Sequence, residues 1–121
     1  MKKIKKNWFK LDCGFFPVNI HLIGSEKALY KCAKKEGFSV SDLGDTSKVD
    51  AYFSQIECDD GLYISFIFCP KGTSIDILLH EIVHAVDYVF MDLGVDHSAE
   101  NTETRAYLTQ HLFKQALSIE N

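Results

Sequence analysis

Hydrophobic residues between Ile75 and Leu93 return every three to four positions. Ile75, Leu78, Ile82, Val86, Val89 and Leu93 form one stripe, which is the period of an α-helix. His80, His84, Asp87 and Met91 recur at the same spacing on the opposite side. Leu79, Val83 and Phe90 widen the apolar arc, so this helix is expected to be central and covered rather than solvated. Its start is read in Gly72-Thr73-Ser74-Ile75-Asp76, with Thr73 as N-cap and Asp76 as the returning carboxylate, and Gly94 is its stop. A second helix, capped by Ser98 and running from Ala99 to about Ser118, carries Leu108, Leu112, Ala116 and Ile119 on one stripe. Glu103, Ala106, Tyr107 and Gln110 share another of its faces.

Upstream the period shortens to two. In Gly14 to Ile23, Phe16, Val18, Ile20 and Leu22 alternate against Pro17, Asn19, His21 and Ile23, which predicts a strand with one polar-leaning face. Ser25 then caps a helix through about Glu36, with Glu26 in its first turn, lysines toward its end and Gly37 as its stop. Ser39 to Lys48 is polar and aperiodic, a loop that suits the rim of a cleft. Ala51–Glu57 and Leu62–Phe68 are rich in Ile, Phe and Tyr and flank Asp59-Asp60-Gly61, which predicts a hairpin closed by a type I′ turn. The order strand, helix, hairpin, helix, helix defines an α+β domain with a small, mostly antiparallel sheet packed on helices. Its 121 residues, 46% of them hydrophobic, suffice for one domain over residues 1–121, with 1–10 as a basic flexible tail.

The chemistry lies in His80-Glu81-Ile82-Val83-His84. Histidines four apart on a helix project one turn apart from one face. Two neutral imidazoles there can hold a Zn²⁺ ion, and the intervening glutamate can take a proton from a water that the ion activates. Mn²⁺, Fe²⁺ and Co²⁺ accept the same donors, so zinc is inferred from ligand type. A catalytic zinc takes a third protein ligand from another element, for which His97, Glu100 and Glu103 are the candidates. Glu103 is preferred, because the small Ala106 near it would let two helices approach closely; Glu100 comes second.

His80-Glu81-x-x-His84, followed nineteen residues later by Glu103 in Glu103-Thr104-Arg105-Ala106-Tyr107-Leu108, resembles the gluzincin branch of zinc metallopeptidases, in a short form similar to those encoded by phages and prophages. The matching segment covers roughly residues 62 to 117. The resemblance implies a minimal zincin-like domain that hydrolyses peptide bonds, with His80, His84 and Glu103 as zinc ligands and Glu81 as general base. Tyr107 or His111 would help hold the oxyanion, and an exposed sheet edge, assigned to Leu62–Phe68, would hold the peptide. Larger gluzincins place an aspartate where this chain has Tyr107, and Asp87 is positioned to orient a histidine instead. The metzincin extension is absent, since Asp87 and Phe90 stand where glycine and histidine are needed. A second reading is a zincin scaffold without catalysis, a binding or inhibitory protein directed at a host protein.

Composition narrows the setting. A formal net charge of −4 argues against nucleic acid as the main partner. The lysines at 2, 3, 5, 6 and 10 beside Trp8 and Phe9 are a local exception, read as a solvated terminus. Cys13, Cys32, Cys58 and Cys69 form no C-x-x-C pair and read as small buried hydrophobes in a reducing compartment. No run approaches the ~20 apolar residues of a membrane helix, and Lys10 and Asp12 interrupt any leader-like stretch. A cytoplasmic location is expected, in a bacterium or in the host of a phage.

Overall fold

A computed structural model describes residues 1–43, 50–96 and 98–119. Its centre is a five-stranded sheet of β1 (Lys2–Lys5), β2 (Trp8–Asp12), β3 (Asn19–Ile23), β4 (Tyr52–Glu57) and β5 (Tyr63–Phe68), in the order β1-β2-β3-β5-β4. All neighbours are antiparallel except β3 and β5. Helix α1 (Glu26–Glu36) follows β3. Helices α2 (Ile75–Asp92) and α3 (Thr102–Ile119) follow the hairpin β4–β5. The expected α+β architecture, a mostly antiparallel sheet packed on helices, is the one observed.

Period-two alternation sorts the strand side chains between two cores. Leu11, Ile20, Leu22 and Ile67 meet Leu78, Ile82, Val86 and Phe90 of α2 and Leu108, Leu112 and Ala116 of α3. Trp8, Ile23, Ile64 and Phe66 meet Ala28, Leu29, Cys32 and Ala33 of α1. The sheet is thus covered on both faces. That explains why β3 has no polar side: His21, expected as an ordinary strand residue, is buried beneath α1 and its Nδ1 accepts a 2.8 Å hydrogen bond from Trp8 Nε1.

Local signals act where they stand alone. Ser25 Oγ accepts from the Ala28 amide, and Gly37 closes α1 at φ 85°. Two expectations about turns are corrected. The N-cap of α2 is Ser74, because the Thr73 hydroxyl instead donates to Pro70 O at 2.6 Å. The β4–β5 connection is not type I′. Cys58 N bonds Leu62 O, Gly61 N bonds Cys58 O, and only Gly61 has positive φ, so three residues form a turn closed by a glycine bulge.

The N-terminal stretch is not a tail. Lys2–Lys5 and Trp8–Asp12 form a hairpin across Asn7 at φ 61°, anchored by fully buried Trp8 and Leu11, with the lysines along the outer edge strand. Lysine on an edge strand discourages pairing with other chains. The first strand of the sequence reading shrinks to Asn19–Ile23. Of the loop 39–48, Val40–Leu43 is a short 3-10 helix, and residues 44–49 lie outside the described part. Finally, Leu62–Phe68 is no edge: β5 lies between β3 and β4, and the free edge on that side is β4.

Candidate metal-binding site

Helix α2 positions the motif. Leu78, Ile82, Ala85, Val86, Val89 and Phe90 bury one face, and a Schellman motif ends the helix: Gly94 N bonds Met91 O, Val95 N bonds Phe90 O, and Gly94 has φ 70°. The expectation that α2 is central and covered holds for its inner face alone. Ile75, Leu79, Val83 and Met91 are exposed, and so are His80 and His84. With β4 and β5 beneath α2 and α3 beside it, no described element lies over its outer face.

On that face His80 Nε2 and His84 Nε2 are 3.1 Å apart, and the rings meet edge to face with centroids 4.7 Å apart. This spacing tests whether the pair fits a metal. Nitrogens this far apart, each at the usual zinc distance, subtend about 100° at the ion, close to a tetrahedral angle. Without an ion, one imidazole donates to the other. Glu81 sits at the boundary between core and surface, with 8% of the residue exposed, and its Oε1 is 4.0 Å from His80 Nε2. A mostly buried carboxylate is thus held beside one imidazole of the pair.

The third ligand is not gathered. Among the described residues, no group of three His, Cys, Asp or Glu side chains could hold one ion. Glu103 lies in the first turn of α3 on its exposed face, and Ala106 is exposed as well, so the expected close approach of helices through Ala106 does not occur. Glu100 is exposed in the short 3-10 helix Ala99–Asn101. His97 lies outside the described residues. The residues present therefore fit half of a tetrahedral shell.

Asp87, a candidate for orienting a histidine, is committed elsewhere. Arg105 Nη1 donates to its Oδ1 at 3.2 Å, while the guanidinium lies over the Phe90 ring, 4.6 Å from the centroid. Sequence reasoning missed this tie between α2 and α3, although Arg105 stands two residues after Glu103. Tyr107, proposed to hold an oxyanion, is 61% exposed and stacks on His111 with the planes 7° apart. It lines a cavity with Cys13, Phe15 and Phe16 that includes none of the motif residues. His111 Nε2 is 2.8 Å from Asp12 Oδ1. That hydrogen bond first, and the N-terminal ammonium second, hold the Asp12 carboxyl at about 2.

The cysteines offer no competing site. None of the four is in a disulfide and all are buried, and burial pushes Cys13 up to about 11 and Cys32 up to about 12, so both stay protonated thiols. Comparison with protein-family models, with curated proteins and with solved structures finds no match to this chain.

Proposed function

We propose that the chain is a zinc-dependent hydrolase of peptide bonds whose reaction is centred on the His80–His84 pair. The observation that carries this reading is the 3.1 Å separation of the two Nε2 atoms on a solvent-open helix face, with the Glu81 carboxylate 4.0 Å from His80. A divalent ion, when bound, supplies Lewis acidity toward a carbonyl and toward water. His80 and His84 hold it through their Nε2 atoms. Glu81 would take the proton of the attacking water and return it to the leaving nitrogen. Glu103 is the third ligand that the gluzincin resemblance implies. It stands apart from the pair, so its role rests on the metal-affinity test below.

The partner in this reading is a peptide or protein, presented along α2 and the free edge β4. A cytoplasmic setting, bacterial or in the host of a phage, is supported by four buried cysteines, none of them in a disulfide. No helix among the described residues is long and apolar enough to cross a membrane.

The deciding experiment joins metal titration to cleavage of a peptide library. Zinc should bind the wild type and lose affinity in His80→Ala and His84→Ala. Glu81→Gln should bind normally while turnover falls roughly 10²–10⁴-fold. Weaker binding in Glu103→Ala would place that carboxylate on the metal, and unchanged binding would remove it. Cleavage that persists in Glu81→Gln would overturn the mechanism. A second reading, a binding or inhibitory protein on the same scaffold, is favoured by exposed Ile75, Leu79, Val83 and Met91 around the histidines. Zinc binding without any Glu81-dependent cleavage would select it.

A further inference from the structure

We infer that the His80–His84 face of α2 is shared between two copies of this chain, which bind one divalent ion between them through four imidazole nitrogens. The inference starts from coordination number. A tetrahedral ion takes four donors, and the helix offers two at the correct bite, 3.1 Å apart. Among the described residues the same chain adds no third. A two-fold axis through the ion doubles the donor set from two to four, because an isologous contact presents the same patch twice.

The surroundings suit this occupant. Both imidazoles stand clear of the surface, with 67% of the His80 side chain exposed. Exposed apolar side chains run beside them along the whole helix, from Ile75 through Leu79 and Val83 to Met91. These would be removed from water when two such helices cross. Helix α2 also contains no lysine or arginine and exposes Asp76 and Asp92. Two copies therefore repel one another without a cation and associate with one, which makes the contact conditional on metal.

Four imidazoles leave no open position, so the shared ion has no place for water or substrate. The dimer is then a closed form of the site, and any hydrolysis belongs to the dissociated chain. This consequence rests on the hydrolase reading; the dimer itself does not.

Sedimentation velocity on the full chain with zinc or with chelator tests it. Zinc should double the mass from 13.7 kDa with one ion per two chains, and chelator should restore the monomer. His80→Ala should remain monomeric with zinc. Val83→Glu should weaken the dimer while leaving the chelating pair in place, and Glu81→Gln should dimerise like wild type. A monomer that binds one zinc per chain, no zinc binding at all, or a dimer indifferent to chelator and to His80→Ala would each overturn the inference. Monomeric, one-to-one binding with Glu81-dependent cleavage would sink the dimer and keep the hydrolase. A zinc-linked dimer with no cleavage at any dilution would do the reverse.

Discussion

Between about pH 6.5 and 4, acid should destabilise this fold through His21. Its ring is buried between β2 and α1, and burial first, then Lys10 and Lys35, pushes its pKa from 6.5 down to about 4. Nδ1 accepts from Trp8 Nε1, so the proton of the neutral ring is on Nε2. The sign follows from linkage. A base whose pKa is lower in the folded state binds protons more readily when unfolded, so its stabilising effect is complete above about pH 6.5 and is lost as pH falls toward 4. A gap of about 2.5 units corresponds to a loss of about 2.5 kcal/mol by pH 4.5, at up to ~1.4 kcal/mol per pH unit. Asp12, held at about 2, acts in a separate window below its ordinary 3.8. His21→Gln keeps an acceptor for Trp8 and removes the titration. Urea unfolding followed by Trp8 fluorescence from pH 7.5 to 4.5 should give a clearly shallower stability profile for the variant than for the wild type. Parallel profiles, whatever their offset, would refute the reasoning.

Other outcomes are more local. Arg105→Ala should cost about 1–2 kcal/mol, since it removes both the Asp87 ion pair and the cation over Phe90; Asp87→Asn should cost less than about 1 kcal/mol, and equal losses would mean that the ring contact contributes nothing. Gly94→Ala forces a side chain into φ 70° at the Schellman position and should lower stability by about 1–2 kcal/mol in thermal or chemical denaturation. Tyr107→Phe should leave zinc affinity and turnover unchanged, given its place beside His111; a fall in turnover at unchanged affinity would bring Tyr107 into the reaction.

The parts of the fold that were legible had signals read by the backbone alone. Ser25 and Gly37 bracket α1 because a hydroxyl acceptor and a positive φ are local requirements. The β4–β5 hairpin was visible for the same reason, although its turn type was not: Asp60 avoids positive φ and Gly61 takes it alone, a choice set by the three-residue register. The β1–β2 hairpin was hidden because its outer strand is nearly all lysine, and because β2, between two cores, places Trp8 on one side and Leu11 on the other. Likewise His21 looked like a polar outer face only while α1 was unplaced. Sheet order was beyond reach, since nothing local in β5 records that β3 pairs with it in parallel.

The site divides along the same line. His80, Glu81 and His84 belong to one helix, so the 3.6-residue period puts both imidazoles on one face one turn apart, and their rotamers bring the Nε2 atoms to 3.1 Å. Glu103 required a second helix in a particular rotational phase. That phase is set by Leu108, Leu112 and Ala116 in the core and by Arg105 on Phe90 and Asp87. Glu103 lies five residues before Leu108, about 140° around the axis, and farther still from Leu112. Turning it inward would expose the leucines, which at about 1.5–3 kcal/mol each is more than one exposed carboxylate gains from a new contact. A ligand role for Glu103 therefore requires rearrangement of the first turn of α3 alone, next to the 3-10 turn Ala99–Asn101, where no buried residue opposes it. The metal affinity of Glu103→Ala reports on that local change, and the shared-ion dimer is the arrangement that needs none.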